Sequence, residues 1–332
     1  MRKTVLASIG VAGAVVTLAW WMSAPLTGQA QGATSTDKAG EKFVAPHTAW
    51  GDPDLQGQWN SQTSTPLERP LSGALAGKDT LSEEEAEGIE SANLARADGP
   101  PPAGDPGTYN SFWFDRGKGL SRTSLIIDPP DGRVPAYTPE AEQRLAAARA
   151  ARATRGPADS YADLPIWPRC ITRGWNGIGS NYSSNTQIFQ SPGYVVILQE
   201  LIHESRVIPL DRRDGLPAHV QQWLGVSRGR WDGDTLVVET RNFDPRSSYR
   251  GSSPELLLVE RFTRVAADVI DYQFTMHDPK TYVKDWTVAR PMRRETGKIT
   301  IFEYACHEGN YAMEGILAGA RLEDKEAAAA KR

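Results

Sequence analysis

From about residue 185 to the polar tail the chain is cut into short runs that suit strands. "TQIFQSPGYVVILQELIHESRVIPLD" holds three β-rich runs, and "VSRGRWDGDTLVVETRNF" reads as a hairpin. "LLLVERFTRV", "DVIDYQFTMHD", "DWTVARPMRR" and "KITIFEYACHE" follow, each alternating or enriched in β-branched and aromatic residues. Asp232-Gly233 is a two-residue turn signal of the type I′ kind. Seven or eight strands at this spacing predict a mainly β chain built as an antiparallel meander. Closure into a barrel, lipocalin-like in the broad sense, removes the open edges and creates an inside and an outside. A two-sheet β-sandwich is the alternative. A propeller needs several four-stranded blades, for which the chain is short.

The first half carries two peripheral helices. In "KDTLSEEEAEGIESANLARA", Thr80 and Glu83 have the spacing of a capping box, which predicts a helix near 81–97 starting at Leu81. Its faces are mostly polar, so it belongs on the surface. In "TPEAEQRLAAARAARA", Thr138 suits the N-cap and Pro139 the first helical position, giving a helix near 139–153. Residues 49–321 therefore read as a single mostly β domain with two helical insertions. A flexible spacer covers 31–48, and 322–332 is a polar, helix-prone tail.

The N-terminus has a basic start, an apolar run from Val5 to about Met22, and small residues before Ala30. That is the layout of a signal peptide over 1–30, with cleavage expected near Ala30 and a periplasmic or secreted destination. After cleavage no stable membrane insertion is expected; an uncleaved anchor is the alternative. The net charge of −4 and the lack of a basic stripe argue against a nucleic-acid partner. The chain has two cysteines, Cys170 and Cys306. In an oxidising compartment such a pair is readily a disulfide. The competing reading is two free thiols, with Cys306 reactive beside His307.

The stretches "SRGRWDGDTLVVETRNF", "VERFTRV" and "FEYACHEGNY" resemble a family of exported bacterial proteins. "YNSFWFDRG", "RTSLIIDPPDGR" and "QIFQSPGYVVILQELIHESRVIPLD" look like the same family. The resemblance runs from about Trp50 to Arg321, and "TRGWNGIGSNYSSN" is its least typical stretch. It implies a shared fold and a shared pocket, and it brings no reaction with it.

Familiar chemical motifs are missing. His203-Glu204 and His307-Glu308 each lack the second histidine of HExxH, so His203, His277 and His307 could meet at a metal only through tertiary structure, and no metal is expected. There is no GxSxG elbow. "GWNGIG" lacks the strand–turn–helix context of a dinucleotide loop, so no nicotinamide or flavin cofactor is expected.

The remaining candidates are polar groups set among apolar strands. Glu200, His203 and Arg206 stand within seven residues; a histidine with a carboxylate makes a general acid/base pair, and an arginine holds developing negative charge. A solvated hairpin end would explain the same residues without function. Asp115 and Arg116 follow the aromatics of "FWFDRG" and suit a polar substrate head beside an apolar body, or equally a structural ion pair. A Cys170–Cys306 bridge would gather Arg169 and Arg173 with His307 and Glu308. On an extended strand Cys306 and His307 would point to opposite sides, which weakens a Cys-His nucleophile.

These readings predict an exported, cofactor-independent enzyme (lyase, isomerase or hydrolase) acting on a small, partly apolar and possibly aromatic molecule. His203 would be the acid/base, oriented by Glu200 or Asp115. Arg116, Arg206, Arg169, Arg173, His307 and Glu308 would contact substrate. A periplasmic binding protein without turnover and a structural envelope protein are the alternatives.

Overall fold

A computed structural model describes residues 43–73, 75–97, 99, 117–175, 185–211, 216–294 and 301–331. The predicted leader, residues 1–30, lies outside the described residues.

The strands are β1 (Gly57–Asn60), β2 (Ile126–Asp128), β3 (Asn185–Ser191), β4 (Tyr194–Gln199), β5 (Ser205–Pro209), β6 (Val226–Asp232), β7 (Thr235–Arg241), β8 (Leu257–Ala266), β9 (Val269–His277), β10 (Trp286–Ala289) and β11 (Met292–Arg294). Nine of them follow one another in the order β5-β4-β3-β1-β11-β9-β8-β7-β6, all antiparallel, in a sheet nearly closed into a barrel. The predicted barrel forms, not the sandwich. β10 pairs with β9 and with β2, and so carries the sheet off that path.

Alternation decides what lies inside. On β8, Leu258, Glu260 and Phe262 are buried; on β9, Ile270, Tyr272, Phe274 and Met276 are buried. Side chains of one parity on a strand share a face, so each strand turns one parity inward. Trp59 of β1 is fully buried, donates its indole N–H to the Leu55 carbonyl (2.9 Å), and carries the Arg294 guanidinium 4.5 Å above its ring.

Near-closure depends on Gly229 of β6. A Cβ there would lie 2.7 Å from Leu210 and 2.9 Å from Ile208, closer than packed carbons tolerate. The missing side chain lets β6 approach the end of β5 across the seam.

The tight β3–β4, β6–β7 and β8–β9 turns share one end of the barrel. The longer β4–β5, β7–β8 and β9–β10 connections gather at the other, which forms the mouth. The β6–β7 turn uses Gly233 and Asp234, because Asp232 still pairs with Thr235. That is one residue later than the Asp-Gly signal suggests.

The helices are α1 (Glu83–Ala97), α2 (Pro139–Ala153) and α3 (Tyr311–Ala330). α2 is capped as expected: the Thr138 hydroxyl accepts the Ala141 N–H at 3.1 Å. α1 starts two residues later than predicted, because Ser82 and Glu85 make the reciprocal bonds of a capping box. α3 is a third helix, not two as expected from the sequence, and it contains nearly all of the predicted polar tail.

Candidate functional site

Four groups converge at the mouth: a kinked link after β4, the C-terminal segment, a charged cluster inside the barrel, and a cleft.

The link is residues 200–204. β4 stops at Gln199, so His203 lies beyond the strand, in the link. Ile202 and His203 have positive φ values of 56° and 42°. A β-branched residue in that region is strained and persists only where its surroundings hold it. The kink sends three polar side chains to three different segments. Glu200 is buried; it accepts the Asn185 amide N–H at 2.8 Å and the Phe302 backbone N–H at 3.3 Å. His203 is exposed, with Nδ1 3.2 Å from the Tyr304 carbonyl. Glu204 accepts the Thr172 hydroxyl at 2.7 Å and the Arg173 backbone N–H at 3.2 Å. Glu200 is thus engaged by Asn185 and Phe302 and does not pair with His203.

The C-terminal segment corrects another expectation. "FEYACHE" is not a strand: residues 301–305 belong to no ladder, residues 306–309 turn, and α3 begins at Tyr311. Despite its β-rich composition it pairs with no strand among the described residues. It is held instead by Glu200, by His203 and by Cys306, whose sulfur is bonded to that of Cys170, with the Cα atoms 5.7 Å apart. Asn310 adds a bond from its side-chain amide to the Pro168 carbonyl at 3.1 Å. The bridge brings these backbones together, yet His307 and Glu308 lie exposed on the turn. Arg169 lies over the Tyr161 ring at 5.1 Å, and Arg173 over the Trp167 ring at 4.7 Å.

Inside the barrel, Arg206 of β5 reaches across to Glu260 of β8 with two bonds, 2.6 and 2.9 Å. The Tyr272 hydroxyl donates to the same carboxylate at 2.9 Å. Arg206 is 5% exposed and Glu260 fully buried, so this is a dry, bidentate pair. The carboxylate holds the Arg206 guanidinium above its usual range despite burial, which acts the other way. Both terminal nitrogens of Arg206 are therefore committed to Glu260.

The cleft lies between the 166–175 segment and residues 247–249. It has a volume of about 260 Å³ and is walled by Trp167, Thr172, Arg173, Trp175 and Tyr249. Trp175 is buried and joins the core: its ring meets Tyr249 edge-on at 5.2 Å, Phe243 at 5.7 Å and Phe274 of β9 at 6.3 Å. Its indole nitrogen finds no acceptor among the described residues. Burial pushes the Tyr249 phenol upward, so it stays a neutral hydroxyl. Thr172 and Arg173 both line the cleft and hold Glu204, which puts that carboxyl one hydroxyl behind the wall.

No family model matches the chain, and neither the curated proteins nor the solved structures contain a match. The resemblance to exported bacterial proteins therefore stands on the quoted stretches alone, and the site must be argued from its own atoms.

Asp115 and Arg116 lie outside the described residues. His277 pairs on the surface with Asp285 at 2.8 Å. Among the described residues no three His, Cys, Asp or Glu side chains converge as metal ligands do. Trp167, Trp175, Tyr249, Glu204 and Glu260 escape the sequence reading. Alternation along "VERFTRV" puts Glu260 beside apolar inward positions and was the available signal. Trp175 sits in the stretch least typical of the resemblance.

Burial raises the Glu204 carboxyl above its ordinary range, and the bonds from Thr172 and Arg173 only partly offset this. The folded state therefore favours the protonated form. The associated stability is present below the unfolded carboxyl range and is lost as pH rises through the elevated folded value. Glu204→Gln keeps an acceptor oxygen for both donors and removes the titration. Its melting temperature relative to the parent is expected to rise as pH climbs above the unfolded carboxyl range, about pH 4. A difference that stays flat with pH would refute the upward shift.

Proposed function

We propose that the protein is exported and binds a small, partly apolar molecule in the cleft at the barrel mouth. One observation carries this reading: Trp167, Trp175 and Tyr249 wall a cleft of about 260 Å³ whose side bears Arg173. Pockets for small molecules combine mostly apolar, aromatic walls with a few placed polar groups. The volume suits one or two rings, being slightly below that of drug-sized sites. Export is supported by the leader-like N-terminus and by the bonded cysteines.

The test is titration of intrinsic tryptophan fluorescence with small aromatic compounds, since two indoles form the walls. Trp167→Ala is expected to weaken a bound compound at least about tenfold while leaving the melting temperature nearly unchanged, because Trp167 is half exposed. Equal affinity in the variant would remove the cleft as the site.

A second reading, turnover by acid/base chemistry without nicotinamide or flavin, is favoured by Glu204. A carboxyl whose protonated form is favoured by burial, and which accepts the hydroxyl of the cleft residue Thr172, is suited to acid/base work. It displaces His203 as the first group to test, because His203 is exposed and lies against the Tyr304 carbonyl. Under this reading Glu204→Gln stops turnover and preserves binding.

A further inference from the structure

We propose that the ligand of the mouth cleft is a planar organic anion, a carboxylate on one or two aromatic rings, with its charge held by Arg173. The inference rests on the cleft being the binding site.

Arg173 has no acidic partner at ion-pair distance among the described residues. Its neighbourhood shows that this is not a general lack of acids. Arg246, next to the cleft residue Ser247, also stacks on a tryptophan, yet is neutralised by Asp244 at 2.6 Å. The acid closest to Arg173 in the hydrogen-bond network, Glu204, takes the Arg173 backbone N–H and not the guanidinium.

The Arg173 guanidinium lies over the Trp167 ring, its carbon 4.7 Å from the ring centre. Its planar fork of N–H donors, without an acidic partner among the described residues, matches a carboxylate with two parallel bonds. The indole also restricts the side chain, so less rotamer freedom is lost when an anion binds. Arg169, stacked over Tyr161, adds a second cation to the same segment without an ion pair of its own among the described residues. The apolar walls formed by Trp167, Trp175 and Tyr249 accept the faces of a ring, and the guanidinium marks the end where the charge must lie. A cationic ligand would meet an uncompensated positive charge there, and a neutral one would leave the fork unused.

The experiment is calorimetric titration of the full mature chain with matched pairs: benzoate against benzamide, and 2-naphthoate against 2-naphthamide, with benzylamine as the cation. At least one acid is expected to bind about tenfold or more tightly than its amide, with benzylamine the weakest. Added salt should weaken the acid and leave the amide unchanged. In Arg173→Gln the acid should fall to the affinity of the amide, while the amide binds as in the parent. Arg173→Lys, which keeps the charge and gives up the planar fork, should retain part of the preference. It also serves as the folded control if the Gln variant proves unstable. Equal affinity of acid and amide in the parent, or a preference that survives Arg173→Gln, would overturn the anion assignment and leave the cleft standing. Failure of every compound to bind would remove the cleft reading and the anion with it.

Discussion

Arg206→Met is expected to destabilise the fold by about 3–5 kcal/mol, because it leaves the Glu260 carboxylate buried with only the Tyr272 hydroxyl for company. Glu260→Leu should cost a similar amount by stranding the guanidinium. The double variant Arg206→Met/Glu260→Leu should recover most of either loss, since two apolar side chains of similar volume satisfy each other in a dry lumen. Denaturant titration of the four proteins gives the coupling between the sites directly. Single losses below about 1 kcal/mol would mean that water reaches the pair and that the lumen is wet at this level. Full additivity would mean that the two groups do not depend on each other, contrary to the bidentate geometry.

Removing the Cys170–Cys306 bond should produce the other large effect. The cysteines are 136 positions apart, and closing a loop of that size lowers the entropy of the unfolded chain by an amount worth about 4–5 kcal/mol as an upper figure. A Cys170→Ser/Cys306→Ser variant, or the parent in reductant, should show a denaturation midpoint lowered accordingly. The loss should also be local. Without the sulfur link, the ties of residues 301–310 to the barrel include single hydrogen bonds to Glu200, His203 and Pro168. Proteolytic nicking should therefore move to this segment first. An unchanged midpoint with and without reductant would show that the bond adds nothing to stability.

The barrel was legible in the sequence because its strands obey a simple rule. The buried positions of β8 and β9 alternate without a break from Leu258 to Phe262 and from Ile270 to Met276. The helix α2 was legible because Thr138 and Pro139 act locally. What was not legible depends on partners far along the chain. "FEYACHE" has a strand's composition, but strand formation requires an open edge beside it, and the composition does not say whether one exists. Phe302 is 65% exposed, as a segment lying on the surface allows. Glu260 finds its cation 54 positions earlier, and no spacing announces that. His203 stood out because Glu200 and Arg206 lie close to it in sequence, and the kink at Ile202 and His203 sends the three side chains apart. Glu204, one residue on, is the group that meets the cleft wall. Its signal is burial, which appears only once the 172–173 backbone is folded against it.

β1 has a consequence for how the sheet is joined. It contributes four residues, paired on one side with β3 and on the other with β11. On one side of it stand three strands from residues 185–209; on the other stand five strands from residues 226–294. Those two groups also meet across the β5–β6 seam, where Gly229 lets side chains touch, and through the Arg206–Glu260 pair. A stretch of chain that looks like a preamble to the barrel is thus its keystone. Any boundary drawn after Asn60 would divide the sheet into two separate blocks, each with a newly bared edge.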